Sequence, residues 1–251
     1  DIVQIMNKKQ HTLNASIELQ GVGLHTGENV KLTFKPAPSN TGLIFIREDI
    51  NGDNSIEAHI KYISNTDRGT NLDNGLFRIH TSEHVLAALT GLDIDNCYIS
   101  LDGPEVPIMD GSAGPFVFLI QSAGVEIQSQ AKKYIRIKKS IEVEENGKSA
   151  KLYPFDGFKV DFTIDYQHPV FLDCPQTAEI NFAEISYSKE ICRARTFGFL
   201  TDYEKLLKAN LAKGCSLDNA VVIDEYRILN QEGLRFKDEF VKHKILDAVG
   251  D

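Results

Sequence analysis

Alternating apolar and polar residues predict β-strands in both halves of the chain. Residues 30–35 and 158–165 alternate with the period of a half-buried strand. Shorter apolar segments predict further strands at residues 43–46, 57–63, 97–101, 195–200 and 220–223. We expect residues 43–46 to pair with residues 30–35, and residues 134–137 to form a hairpin with residues 141–144.

Four segments have the helical spacing of apolar residues instead. Residues 81–91 begin with threonine and serine and end at a glycine, which is typical of a capped helix. Residues 114–124 open with Gly-Pro and close with a glycine. The other two helices are expected at residues 203–209 and 238–249.

The order of these elements divides the chain into two halves. In each half the strands come first and a helix with a polar face comes late, which predicts an α+β fold. We expect a first domain at residues 6–128 and a second at residues 129–251.

The composition narrows the function classes. The 251 residues carry 27 basic and 36 acidic side chains, a formal net charge of −9, whereas a general nucleic-acid-binding protein would show a basic stripe. No run approaches the ~18 apolar residues of a membrane-spanning helix, and the polar start predicts no signal peptide. The four cysteines include no C-x-x-C pair, so we expect reduced thiols in a cytoplasmic protein.

The strongest candidate site lies on the last predicted helix. Residues four apart share one helical face, so the His243 imidazole and the Asp247 carboxylate can converge on one point. Asp251 follows on the same stripe, one turn further along. Surface helices also carry such pairs for solubility or as ion pairs, so the pair alone leaves both interpretations open.

Glu83 and His84 form the second candidate site, near the start of the helix at residues 81–91. A catalytic zinc ion needs three protein ligands and an open position, and His84 supplies the third ligand if the two helices meet. Glu83 points to another side of the helix, where it can take a proton from water beside the metal. Alternatively, Glu83 is a charge that favours the helix dipole, and His84 is a polar residue near the rim.

Six motifs, in this order, resemble the zinc-dependent UDP-3-O-acyl-N-acetylglucosamine deacetylases of bacterial lipid A biosynthesis. They are GVGLHTG (21–27), TSEHVLAAL (81–89), EVPIMDGSA (105–113), RARTFGF (193–199), SLDNAVVID (216–224) and HKILDAVGD (243–251). The resemblance implies two similar sheet-plus-helix domains packed face to face with the active site between them. It also implies one catalytic zinc ion per chain, and hydrolysis of the sugar acetamide to acetate and a free amine.

The resemblance further implies roles for single residues. The zinc ligands are matched by His84, His243 and Asp247, and the general base by Glu83. Thr196 matches a residue at the oxygen of the tetrahedral intermediate, Phe197 one that packs on the sugar, and Lys244 one that contacts the diphosphate. The family also has an inserted strand-helix-strand, matched by about residues 197–216, which forms a channel for the acyl chain. Leu200 is the match in that channel. A plain amphipathic helix packed on the core explains Leu200, Leu206 and Leu207 equally well.

The implied partner is a small anionic substrate. To reach a chain of charge −9 it needs a local positive patch, for which Lys244, Arg193 and Arg195 are the candidates unless they form structural ion pairs. We expect no nucleic acid, no transmembrane segment and no obligate protein partner.

One feature of the family has no match in this sequence. The family carries a catalytic histidine beyond the H-x-x-x-D helix, and Asp251 matches the carboxylate partner of that histidine. We therefore expect the natural chain to continue past Asp251. The alternative is a catalytically silent protein that binds the acyl-sugar nucleotide, and a metal-free sugar-nucleotide enzyme is a third hypothesis.

Overall fold

The structure is a computed structural model that describes residues 8–66, 68–183 and 185–251, so the start of the predicted first domain, at residues 6–7, lies outside the described residues. The strands are β1 (Lys9–Leu13), β2 (Ile17–Val22), β3 (Asn29–Pro36), β4 (Leu43–Arg47), β5 (Ser55–Glu57), β6 (Ile63–Asn65), β7 (Asn71–Asp73), β8 (Arg78–Ile79), β9 (Cys97–Leu101), β10 (Val125–Ala131), β11 (Ile141–Glu145), β12 (Lys148–Leu152), β13 (Lys159–Thr163), β14 (Thr177–Asn181), β15 (Phe197–Phe199) and β16 (Val221–Ile223). The α-helices are α1 (Glu83–Gly91), α2 (Gly114–Ala123), α3 (Tyr187–Glu190), α4 (Leu200–Lys208) and α5 (Glu239–Gly250), with short 3-10 helices at Ile60–Tyr62 and Pro169–Phe171. This mixture of helices and strands confirms the predicted α+β class.

A five-stranded mixed sheet organises the first half of the chain, in the order β2-β3-β9-β4-β5. The central strand β9 runs antiparallel to β3 and parallel to β4. Its side chains are almost all buried, as are the inward-facing Leu32, Phe34 and Phe45 of its neighbours. Helices α1 and α2 contribute buried residues to the same core, which covers one face of the sheet.

The second half is assembled from pairs of strands. Strands β11 and β12, and strands β13 and β14, form antiparallel pairs, whereas β15 and β16 pair in parallel. A second and smaller core surrounds the β15–β16 pair, with Phe171, Val221 and Phe240 among its buried residues.

Helix α5 lies between the two cores and therefore connects them. Its first turns supply Phe240 and Val241 to the smaller core, and its last turns supply Ile245, Leu246 and Val249 to the larger one. Near its end α5 approaches α1 so closely that a Cβ atom at Gly250 would overlap the carbonyl oxygen of Glu83. A glycine at this position is what allows the backbones of the two helices to meet.

Several predicted elements are confirmed, but two strand pairings are wrong. Strand β4 does not pair with β3, because β9 is inserted between them. The predicted hairpin is absent from the described residues: β11 turns back into β12 instead, around Asn146 and Gly147. Both turn residues have positive φ angles, 51° and 74°, which is the geometry that an Asn-Gly turn favours. Residues 57–63 contain a 3-10 turn rather than one strand.

The division into two domains remains a prediction. Strand β10 continues to Ala131 and is hydrogen-bonded to β1 of the first half, so this strand extends past the boundary predicted at residue 128. All four cysteines are free thiols. Among the described residues, every helix is too short or too polar to cross a bilayer.

Candidate metal centre

Three side chains from two helices converge on one point. His84 lies in the first turn of α1, while His243 and Asp247 lie one turn apart on α5. The Oδ1 atom of Asp247 lies 3.4 Å from His84 Nε2 and 3.2 Å from His243 Nε2. One ligand atom from each residue falls within 4.8 Å of the others, so the three can share one cation.

The burial of these atoms fits a bound metal ion. His84 and His243 are 4% and 1% exposed. Asp247 Oδ1 is buried and accepts no hydrogen bond from the described residues. A buried carboxylate oxygen without a donor is costly, and a cation between the imidazoles would compensate for that cost. Two imidazoles and one carboxylate are also a ligand set that catalytic zinc sites use.

The two histidine rings are oriented in different ways. His243 Nδ1 lies 2.9 Å from the carbonyl oxygen of Ala194, which favours a proton on Nδ1 and leaves Nε2 free to bind a metal. Burial lowers the pKa of His243 to about 4, so this imidazole is neutral at physiological pH, as a metal ligand must be. His84 Nδ1, in contrast, is buried without a hydrogen-bond partner among the described residues. Backbone position and packing therefore orient the His84 ring.

Asp247 is held in its charged form. Burial alone would raise the pKa of its carboxyl group, but His243, His84 and Lys244 outweigh burial and lower it. Lys244 Nζ donates a hydrogen bond of 2.9 Å to Asp247 Oδ2, which leaves Oδ1 facing the histidines. The charge of Asp247 raises the pKa of His84 even though burial works in the opposite direction.

The carboxylate of Glu83 is buried beside this cluster. Its Oε2 atom accepts a hydrogen bond of 2.9 Å from the backbone amide of Thr70. Burial raises the pKa of Glu83 above its ordinary value. Gly69 passes close to the same carboxylate, since a Cβ atom there would lie 3.2 Å from Glu83 Oε1. Glu83 is thus a fixed carboxylate whose environment favours the uptake of a proton.

The segment before β15 forms the wall behind His243. Arg195 is 4% exposed, and its guanidinium pairs with Glu239, with Nε donating to Oε1 over 2.8 Å. Its Nη1 also donates to Glu232 over 3.0 Å. Arg195 therefore forms structural ion pairs, which is the alternative to a place in the positive patch that the sequence left open. Arg193 is exposed.

Thr196 and Phe197 continue this wall. The Thr196 amide donates to the Gly111 carbonyl over 2.8 Å, and its own carbonyl accepts from Val221 over 2.8 Å, so its backbone is fixed on both sides. The Phe197 ring is half-buried, with its centroid 6.5 Å from that of His243 and 5.9 Å from Lys244 Nζ. Phe197 is thus close to the ligand cluster, and Thr196 is its neighbour in the chain.

Helix α4 is not packed on the core. It begins at Leu200, and none of its residues is buried. Packing on the core therefore does not explain its leucines. Asp251, which follows the last residue of α5, is exposed, and its carboxylate accepts a hydrogen bond of 2.5 Å from the Thr70 hydroxyl.

Sequence reasoning missed two residues that support the site. Glu239 is fully buried, and its two oxygens accept hydrogen bonds from the backbone amides of Arg195 and Arg235. It lies one helical turn before His243, a spacing that could have indicated its direction. Thr70 contacts both Glu83 and Asp251, but it lies in an irregular segment without a recognisable pattern.

An α+β fold that joins two histidines, an aspartate and a buried glutamate from two helices is typical of a metal-dependent hydrolase. The family model of UDP-3-O-acyl N-acetylglycosamine deacetylase matches residues 10–251. The chain is 58% identical over 243 residues to the UDP-3-O-acyl-N-acetylglucosamine deacetylase of Legionella pneumophila (strain Corby), covering 97% of this chain and 80% of that protein. The enzyme of the same name from Coxiella burnetii (strain Dugway 5J108-111) is 57% identical over 243 residues, with the same coverage of 97% and 80%. The chain belongs to the UDP-3-O-acyl N-acetylglycosamine deacetylase family.

Proposed function

We propose that this chain is a zinc-dependent deacetylase that hydrolyses the acetamide of UDP-3-O-acyl-N-acetylglucosamine. The products are acetate and the free amine, and the reaction is the committed step of lipid A synthesis. The observation that carries the proposal is the convergence of His84 Nε2, His243 Nε2 and Asp247 Oδ1 next to the buried carboxylate of Glu83.

His84, His243 and Asp247 hold one zinc ion per chain in this proposal. When bound, zinc acts as a Lewis acid on the acetamide carbonyl and lowers the pKa of a coordinated water to about 7. Lys244 contributes by fixing the second oxygen of Asp247, and Ala194 by fixing the His243 ring. Such supporting contacts orient the ligands and tune their basicity.

Glu83 is the general base of the proposed reaction. The Thr70 amide holds one carboxylate oxygen, which leaves the other to take the proton from the attacking water. The raised pKa of Glu83 favours that transfer. Thr196 lies at the developing oxyanion, where a fixed hydrogen-bond donor stabilises the transition state. Asp251 is also assigned to the catalytic machinery, as the residue that matches the carboxylate partner of the family's catalytic histidine.

The substrate-binding residues follow the same wall. Phe197 packs on the sugar, and Lys244 contacts the diphosphate as well as Asp247. Leu200 begins the apolar side of α4, within the insertion at about residues 197–216, and lines the path of the acyl chain. The absence of any buried residue in α4 supports this assignment, because its apolar side chains remain accessible to a ligand.

We further propose that the site lies between two domains, residues 6–128 and 129–251, since α1 and α5 come from different halves of the chain. The cytoplasm is the proposed compartment, where free cysteines such as these stay reduced.

Replacing Glu83 by glutamine tests the proposed chemistry. Glu83→Gln keeps the size of the side chain but removes the proton acceptor, so zinc content should stay near one ion per chain while kcat falls by roughly 10²–10⁴. Free amine released from the substrate is measured, with Glu48→Gln, at a carboxylate paired with Lys35, as the matched control. Wild-type turnover in Glu83→Gln would assign the base to another residue. A zinc-loaded wild-type protein without turnover would contradict the deacetylase itself.

A further inference from the structure

The chain enters α1 through an unusual backbone conformation. Thr81, two residues before Glu83, has a φ angle of 58°, in the left-handed region. A β-branched residue rarely adopts this conformation, and such a residue persists only where its surroundings enforce it. Thr81 is 4% exposed, so its surroundings are protein atoms.

Hydrogen bonds hold this segment from two directions. The Thr81 hydroxyl donates to Glu105 Oε1 over 3.0 Å, and the Thr81 amide donates to Asn71 Oδ1 over 3.3 Å. The next residue, Ser82, donates to the Thr70 carbonyl both from its amide, over 3.0 Å, and from its hydroxyl, over 2.8 Å. Ser82 is thus not available to cap α1 with its side chain, and none of the described residues supplies a side-chain cap there.

Glu105 connects this segment to the glycine-rich turn at residues 21–27. Its carboxylate is fully buried and also accepts hydrogen bonds from the amides of His25, over 2.9 Å, and Thr26, over 2.8 Å. A Cβ atom at Gly23 would overlap this carboxylate, so the turn leaves room for it. The His25 ring in turn lies 3.2 Å from the Arg68 carbonyl, beside the Gly69–Thr70 segment that contacts Glu83.

We propose that Glu105 is a positioning residue that sets the geometry of the metal site through Thr81. Its carboxylate holds Thr81 in the left-handed conformation, which fixes the direction in which α1 begins and so the positions of Glu83 and His84. His84 depends on this backbone because its Nδ1 has no hydrogen-bond partner among the described residues. The inference rests on the proposed metal site but concerns a residue whose hydrogen-bond partners among the described residues are Thr81, His25 and Thr26.

Replacing Glu105 by glutamine tests the role of the carboxylate. The side-chain NH₂ group of glutamine would then replace one of the two carboxylate oxygens. At least one of the three hydrogen bonds from Thr81, His25 and Thr26 is therefore lost, because NH₂ donates and cannot accept. We expect affinity for Zn²⁺ alone, measured by competition with a chelator, to fall about 10–100-fold, as for other residues that support metal ligands. Asp102→Asn is the matched control. Asp102 lies in the same loop as Glu105, but its carboxylate accepts a hydrogen bond from the backbone amide of Lys31 in β3 and not from the segment that begins α1.

Two variants of Thr81 separate positioning from a general loss of stability. Thr81→Ser retains the hydroxyl and should bind Zn²⁺ like the wild type, whereas Thr81→Val should reproduce the loss seen in Glu105→Gln. If Glu105 acts through Thr81, the variant that carries both Glu105→Gln and Thr81→Val should lose less Zn²⁺ affinity than the two single variants lose in sum. Visible absorption of bound Co²⁺ should also change in Thr81→Val and not in Thr81→Ser, because it reports ligand geometry.

Amide hydrogen exchange provides a readout that needs no metal. In metal-free Glu105→Gln, exchange should be faster at residues 22–27 and 80–86, and unchanged there in Asp102→Asn. Unchanged exchange at residues 80–86 together with wild-type Zn²⁺ affinity would overturn the inference. A wild-type chain that binds no Zn²⁺ would instead refute the proposed function, and the exchange experiment would still decide the role of Glu105.

Discussion

At the scale of single residues, the buried carboxylate of Glu239 joins the two sides of the candidate metal centre. It begins α5, which carries His243 and Asp247, and it binds Arg195, whose neighbour Ala194 contacts the His243 ring. Both members of the Arg195–Glu239 pair are almost inaccessible, at 4% and 0% side-chain exposure. Water therefore cannot take the place of either side chain if the other is removed.

Breaking this pair should be costly. Glu239→Ala leaves the Arg195 charge buried with only Glu232 and the Gly233 carbonyl as partners, so the free energy of unfolding should fall by about 3–5 kcal/mol. Urea denaturation measures the change, and Glu190→Ala, which removes an exposed partner of Lys242, should cost less than about 1 kcal/mol. Equal stability of the two variants would contradict the structural role of Glu239.

The sequence indicated His243 and Asp247 because residues four apart share one helical face. Glu83 and His84 were candidates from their place near the start of a helix, and the resemblance to the family added their roles. The residues that support them could not be predicted in the same way. Thr70 holds Glu83 through its backbone amide and Ala194 holds the His243 ring through its carbonyl. Any residue type offers these groups, so the sequence holds no signal for these two contacts. Whether the two helices meet at all depends on tertiary packing.

At the scale of secondary structure elements, the close contact between α1 and α5 makes the site. Strong local patterns located both helices to within two residues at each end. Strand pairing was less predictable, since β9 enters between β3 and β4 from a distant part of the chain. The β11–β12 hairpin was missed although Asn146-Gly147 is a strong turn signal, because the apolar residues at 134–137 outweighed it.

Gly250→Ala tests the contact between the helices. Alanine is the better helix former by about 1 kcal/mol, so any loss must come from the overlap of its Cβ atom with the Glu83 carbonyl. We expect α1 and α5 to separate, with lower thermal stability and at least a 10-fold loss of Zn²⁺ affinity, since metal sites are sensitive to small shifts of their ligands.

Gly198→Ala is the control for this substitution, because a Cβ atom at residue 198 would meet no atom of the described residues within 4 Å. Its stability and Zn²⁺ affinity should match those of the wild type. If Gly250→Ala bound Zn²⁺ as tightly as Gly198→Ala does, the close contact between α1 and α5 would not be needed for the metal site.

At the scale of the whole molecule, α5 ties the metal centre to both cores. Because the helix contributes to each core, the ligands His243 and Asp247 sit at the junction of the two rather than in either one. The net charge of −9 also shapes the site, since an anionic sugar nucleotide must be bound by local cations. Arg195 is engaged by Glu239 and Lys244 by Asp247, so the exposed Arg193 is the member of the predicted positive patch without an ion pair among the described residues.

The metal content of the freshly purified protein tests the central claim most directly. Elemental analysis should find about one zinc ion per chain in the wild type and almost none in His243→Ala, because three protein ligands are needed to hold the ion. Lys242→Ala, one residue away on the same helix and paired with Glu190 and Asp238, should retain its zinc. Zinc that is absent from the wild type, or that persists unchanged in His243→Ala, would contradict the account.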